Sequence, residues 1–86
     1  MRTSKLHPIR YASIRAGLKP YLIRSWESRY GAVRPKRSET NRRLYSKNDI
    51  ERLRLLRQAV NVGHNISSVA SLSDGELTEL VAVASV

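Results

Sequence analysis

Gly17-Leu18-Lys19-Pro20-Tyr21-Leu22-Ile23-Arg24-Ser25-Trp26-Glu27-Ser28-Arg29-Tyr30-Gly31 is the stretch on which the rest of the chain depends. Pro20 has a fixed φ and no amide to leave unpaired, which suits a first helical position, and Gly31 can adopt the left-handed conformation that closes a helix. A helix of about three turns is predicted between them. Leu22, Ile23, Trp26 and Tyr30 recur at helical spacing and form its buried stripe, while Tyr21, Arg24, Ser25 and Ser28 share another face. That second face carries a phenol, a cation and hydroxyls, groups that donate to phosphates and base edges; the alternative is an ordinary solvated side of an amphipathic helix.

The preceding residues favour the first reading. Ile9 to Ala16 reads as a short helix with Pro8 near its first turn, ended by Gly17, so that only Leu18 and Lys19 stand before Pro20. Two short helices joined by a tight glycine-containing turn form a helix-turn-helix, whose second helix enters the groove of a duplex. Ile9, Ala12 and Ala16 are its inward positions, and Arg10 and Arg15 point outward, within reach of a phosphate backbone.

The charge is concentrated. Residues 2–57 hold all sixteen Lys and Arg against four acids, a net +12; residues 58–86 hold three acids and no cation, a net −3. Such segregation is an electrostatic footprint for a polyanion. A membrane surface is the rival polyanion, but no segment joins a large apolar face to a wholly basic one, and the longest apolar run is too short to cross a bilayer. Eighty-six residues make one small domain or a piece of a longer protein. The absence of cysteine rules out disulfides and thiolate metal sites, and suits a reducing cytoplasm.

Downstream, Arg34-Pro35-Lys36-Arg37 and Arg42-Arg43-Leu44-Tyr45 flank the turn-like Ser38-Glu39-Thr40-Asn41, which predicts a basic β-hairpin, a wing, with Leu44 facing in and Arg43 and Tyr45 facing the other way. A solvated loop is the alternative. Residues 1–7 read as a loose basic arm in which Arg2 and Lys5 frame the start, the alternative being that they touch phosphates. Ser46 and Asp49 form a capping-box variant that opens a third helix with Ile50, Leu53, Leu56 and Val60 inward; Arg52, Arg54 and Arg57 are expected as solvated support, with a Glu51–Arg54 pair. Gly63 stops it, Asn65 caps a short fourth helix with Ile66, Val69 and Ala70, and Ser73-Asp74-Gly75-Glu76 caps a last one with Leu77, Leu80, Val81 and Ala84 on its apolar side. His7 and His64 have no ligand-spaced neighbours, and no nucleophile triad, carboxylate pair or phosphate loop can be assembled, so neither a metal, a cofactor nor a catalytic site is expected.

Together Gly17-Leu18, Ile23 to Gly31, Pro35-Lys36-Arg37, Arg43-Leu44-Tyr45-Ser46 and Asp49-Ile50 resemble the DNA-binding domain of MerR-family transcription regulators, most closely the branch carrying a downstream cobalamin-binding, light-responsive or antirepressor-controlled module. The resemblance implies a mainly α, winged helix-turn-helix fold with additional C-terminal helices over residues 1–72, and residues 73–86 leading toward a dimerisation or effector region. It implies a bacterial repressor or activator that binds double-stranded promoter DNA as a dimer at an inverted repeat. The implied contacts are Tyr21, Arg24 and Ser25 from the second helix and Arg37, Arg42, Arg43 and Tyr45 from the wing; Arg15, Lys19, Ser28 and Asn41 complete the expected DNA-binding set. Family members often have Gly-Tyr or Gly-x before the wing's Arg-Leu-Tyr, where this chain has Asn41-Arg42. An adaptor that turns the same basic face to an acidic protein is the competing function, and an RNA-binding module a third, disfavoured because Trp26 and Tyr30 fall on the buried stripe rather than where bases would stack.

Overall fold

The computed structural model describes residues 5–84, with the side chain of Ala84 left out; the expectations for Arg2 and for that side chain lie outside the described residues. A short strand β1 (Leu6–Pro8) leads into α1 (Ile9–Ala16) and α2 (Pro20–Tyr30). A hairpin of β2 (Lys36–Arg37) and β3 (Arg43–Ser46) follows, then α3 (Lys47–Asn61), α4 (Ile66–Val69) and α5 (Asp74–Ala84). This is the winged helix-turn-helix the sequence leads one to expect.

The α1–α2 turn shows why the two helices meet as they do. Gly17 sits at φ 73°, and its amide and that of Leu18 both donate to the carbonyl of Ser13, at 2.9 and 3.2 Å. Ser13 Oγ donates to the Leu18 carbonyl at 2.5 Å, which holds Leu18 over the core. The left-handed backbone there selects glycine, and a Cβ would also meet the Arg57 Nε at 3.0 Å and push that side chain aside. Gly31, at φ 61°, ends α2 in the same way, its amide donating to the Glu27 carbonyl.

The sheet is three-stranded and antiparallel, in the order β1-β3-β2, with Leu6 opposite Ser46, His7 opposite Tyr45, and Lys36 opposite Leu44. Leu6 and His7 therefore do not belong to a loose arm. The free edge of β3 takes them up, and Pro8, which has no amide to donate, closes that edge strand and caps α1.

The core gathers Ala12, Ala16, Ile23, Trp26, Tyr45, Leu53, Leu56, Ala59, Val69 and Leu77, with Leu22, Tyr30 and Val60 packed partly buried against it. Both capping boxes form: Ser46 with Asp49, and Ser73 with Glu76. Asn65 precedes α4 without a side-chain cap. α5 lies on α3, and Leu77 is fully buried there.

One expectation for α3 is corrected. Arg52 is no solvated support: its guanidinium donates to the Ala32 carbonyl at 2.5 Å, to the Ala70 carbonyl at 2.7 Å and to Asp74 at 2.8 Å. The loop after α2, the end of α4 and the start of α5 are thus tied to one planar group, whose fixed fork of donors suits several acceptors at once. The hydrogen bond from Arg52 holds the Asp74 carboxyl below its ordinary pKa despite some desolvation. The Glu51–Arg54 pair forms at 3.9 Å on the open surface, where it adds little.

Candidate nucleic-acid interface

The outward face of α2 is built by helical geometry alone. Burying Ile23 and Trp26 leaves Tyr21, Arg24 and Ser28 exposed and Ser25 half-buried. Tyr21 is 63% exposed, a large apolar ring left in water. Among the described residues its ring and the Arg24 guanidinium make no hydrogen bond, ion pair or ring contact, so both are available to a ligand. Ser28 is less so, because its Oγ donates to the Arg24 carbonyl at 2.7 Å. Lys19 is exposed at the N-cap position of α2, where its side chain makes no cap.

The wing's turn is held by Ser38. Its amide donates to the Arg42 carbonyl, and its Oγ accepts from the amides of Thr40 and Arg42. Asn41 has φ 63°, the left-handed conformation that glycine would supply and that asparagine tolerates better than other side chains. Its amide donates to the Ser38 carbonyl at 2.9 Å, and its own carbonyl accepts from Arg37 Nη1 at 3.1 Å. Its place is thus in the geometry of the turn. Arg34, Lys36, Arg37 and Arg42 are exposed around it.

The facing of β3 is the opposite of the one expected. Arg43 and Tyr45 share a face, as strand alternation requires, but that face looks inward: Tyr45 is 0% exposed and Leu44 only half-buried. A tyrosine ring offers more apolar area than leucine, and here that area decides the strand's orientation. Tyr45 is therefore removed from the surface set. Its hydroxyl is buried with no hydrogen-bond partner among the described residues, and burial, with the nearby negative charge of Glu27, pushes its pKa up to about 12. Arg43, Arg24 and Arg37 partly oppose that rise, so α2 and the wing bring their cations to one neighbourhood.

Arg43 is turned inward as well, its Nε donating to Glu27 Oε1 on α2. Arg37 Nη2 lies 3.8 Å from the other oxygen of the same carboxylate. Glu27 is the residue that the sequence reading passed over. It is the one acid of a helix flanked by basic segments, which marks it as unusual there without naming its partners. Arg15 stands apart from this cluster: its guanidinium lies 5.9 Å over the Tyr11 ring, which stacks on His7 at 4.1 Å, and it opens on a cleft lined by Lys5, Lys47 and Arg54. Among the described residues no three His, Cys, Asp or Glu gather to hold a metal ion. No helix of the described residues is long and apolar enough to cross a membrane.

The sequence pattern described as MerR HTH family regulatory protein matches residues 8–76. The HTH-type transcriptional regulator MlrA of Escherichia coli (strain K12) is 30% identical over 71 residues, 83% of this chain and 29% of that protein. Its counterpart of the same name in Salmonella typhimurium (strain LT2) is 28% identical over 74 residues, 86% of this chain and 30% of that protein. The HTH-type transcriptional repressor CarH of Myxococcus xanthus is 35% identical over 68 residues, 79% of this chain and 23% of that protein. The chain thus spans less than a third of the length of these relatives.

Proposed function

We propose that this chain, which belongs to the MerR HTH family of regulatory proteins and is a transcription-regulator module rather than an enzyme, reads duplex promoter DNA by sequence. The carrying observation is the outer face of α2, where the Tyr21 ring and the Arg24 guanidinium stand exposed and, among the described residues, unpartnered beside the exposed wing cations Lys36, Arg37 and Arg42. In this reading α2 lies in the major groove, Arg24, Tyr21 and Ser25 meet base edges, and the wing follows the adjacent backbone and minor groove. Lys19 at the start of α2 and Arg15 at the end of α1 add phosphate contacts. Most of the affinity comes from phosphates and counterion release, and the choice of sequence from the helix and the shape of the DNA beneath the wing.

One helix and one wing cover a single half-site, and tight specific binding normally joins two such modules. Leu77 and part of α5 are taken up by the module's own core, so we assign the pairing of two modules to chain beyond these residues.

Selection of bound sequences from random duplexes, followed by titration of the enriched and a scrambled duplex at several salt concentrations, tests the reading. Enrichment of one motif, with affinity that falls as salt rises, is expected. Equal affinity for every duplex would overturn it and favour an adaptor whose basic face meets an acidic protein.

A further inference from the structure

The hairpin and α2 are joined by an acid. Among the described residues Glu27 is the polar link from α2 to the wing: it accepts from Arg43 and lies 3.8 Å from Arg37, on the flank of the helix turned away from Tyr21 and Ser25. The pair is set into the surface, with 17% of the Glu27 side chain and 24% of that of Arg43 exposed, whereas Arg37 is 42% exposed. An ion pair in such a place is weak evidence of stability, because desolvation offsets much of its Coulombic attraction. A carboxylate inside a surface that meets phosphates also repels them. On affinity alone the position would better hold a neutral residue.

We propose that Glu27 is a positioning residue for sequence discrimination: it fixes the wing's angle to α2, so that the helix face and the cations at the wing tip meet one duplex in a single register. The proposal rests on the DNA-reading function above. Arg43 is the inner anchor, held by a donor in a planar guanidinium whose direction a lysine cannot reproduce. Arg37 is the outer arm, tethered to the Asn41 carbonyl and far enough from Glu27 to turn to a phosphate without breaking the anchor. With the anchor loose the wing still attracts any duplex, but it no longer presents its cations at a fixed distance from the bases that α2 reads. Glu27 in this way lowers affinity for all DNA and raises the ratio between the right sequence and the wrong one.

Glu27→Gln and Arg43→Lys in the whole 86-residue chain test this, singly and combined. Affinity for the enriched and the scrambled duplex is measured at two salt concentrations, with a thermal melt of each variant. Glu27→Gln is expected to bind the scrambled duplex as tightly as the parent or more so, while the ratio of enriched to scrambled affinity falls on the order of tenfold, a usual size for coupling between contacting groups. Arg43→Lys keeps the charge and should lower the ratio similarly, and the double variant should lower it no further than either alone. If Glu27→Gln is too unstable to assay, Arg43→Lys decides the matter by the same ratio. An unchanged ratio in the folded variants would overturn the proposal. So would equal gains on both duplexes, which would make Glu27 a mere repelling charge, or equal losses that track the melting temperature, which would make it a structural link. A parent with no preferred duplex would overturn the underlying DNA reading instead.

Discussion

The outer face of α2 and the wing are both basic in sequence, yet they differ in what their arginines are attached to. The Arg24 guanidinium on the helix has no hydrogen-bonding or ion-pairing partner among the described residues, whereas Arg43 on the wing is bound to Glu27 and Arg37 is shared between Glu27 and the Asn41 carbonyl. On α3, Arg52 is bound on three sides. The net +12 of residues 2–57 therefore overstates the charge that faces a ligand. A cation count locates a polyanion surface; the internal acceptors decide which cations belong to it.

The comparison breaks most severely if α2 is not seated as described. Trp26→Ala should cost about 3–5 kcal/mol, the usual loss for a large buried aromatic, and a thermal melt unchanged from the parent would put the ring on the surface. Arg52→Ala comes next, at about 3 kcal/mol, because it leaves the Ala32 and Ala70 carbonyls without their donor. Its acid profile should change too. Asp74 has a lowered pKa in the folded chain, so the stability it lends is present above the ordinary carboxylate pKa and is lost as pH falls through the lowered value. Melts taken from neutral pH to below about pH 4 should show that component in the parent and a smaller one in Arg52→Ala, where Asn48 still donates to Asp74.

Smaller effects separate helix from wing. Arg24→Ala should weaken binding to the enriched duplex by about 1–3 kcal/mol and change the preferred sequence, while Arg42→Ala should weaken all duplexes alike and flatten the salt dependence. Titrations of both duplexes at several salt concentrations distinguish the two. Tyr45→Phe should change least, within about 1 kcal/mol at neutral pH and with DNA affinity intact, since it removes a buried hydroxyl that has no partner. The tyrosine's raised pKa favours the protonated folded state, so the parent loses stability as pH rises from about 10 toward 12. Alkaline melts should show the phenylalanine variant without that component.

The same contrast explains what could be read in advance. Helix spacing spreads the evidence for α2 over eleven residues, and the proline and glycine at its ends fix its limits, so its buried and open faces were legible. β3 is four residues long with two adjacent apolar side chains, Leu44 and Tyr45, and a strand of period two offers nothing beyond their relative size to say which points in. The hairpin itself was legible from its turn, and Asn41 in place of glycine keeps the turn by adopting the conformation that glycine would adopt. Glu27 and Arg52 were not legible as anchors, because their partners lie 10 to 22 residues away and are set by the tertiary fold. The strand at residues 6–8 escaped notice for a related reason: it exists only because β3 has an edge to pair with.

Amide chemical-shift mapping of the 86-residue chain during titration with its selected duplex tests the central claim most directly. The largest changes are expected along α2 at Tyr21, Arg24 and Ser25 and at the wing tip around Arg37 and Arg42, with little change over residues 77–83 of α5. Changes centred on α5, or on the cleft lined by Lys5, Tyr11 and Lys47, with α2 silent, would contradict it.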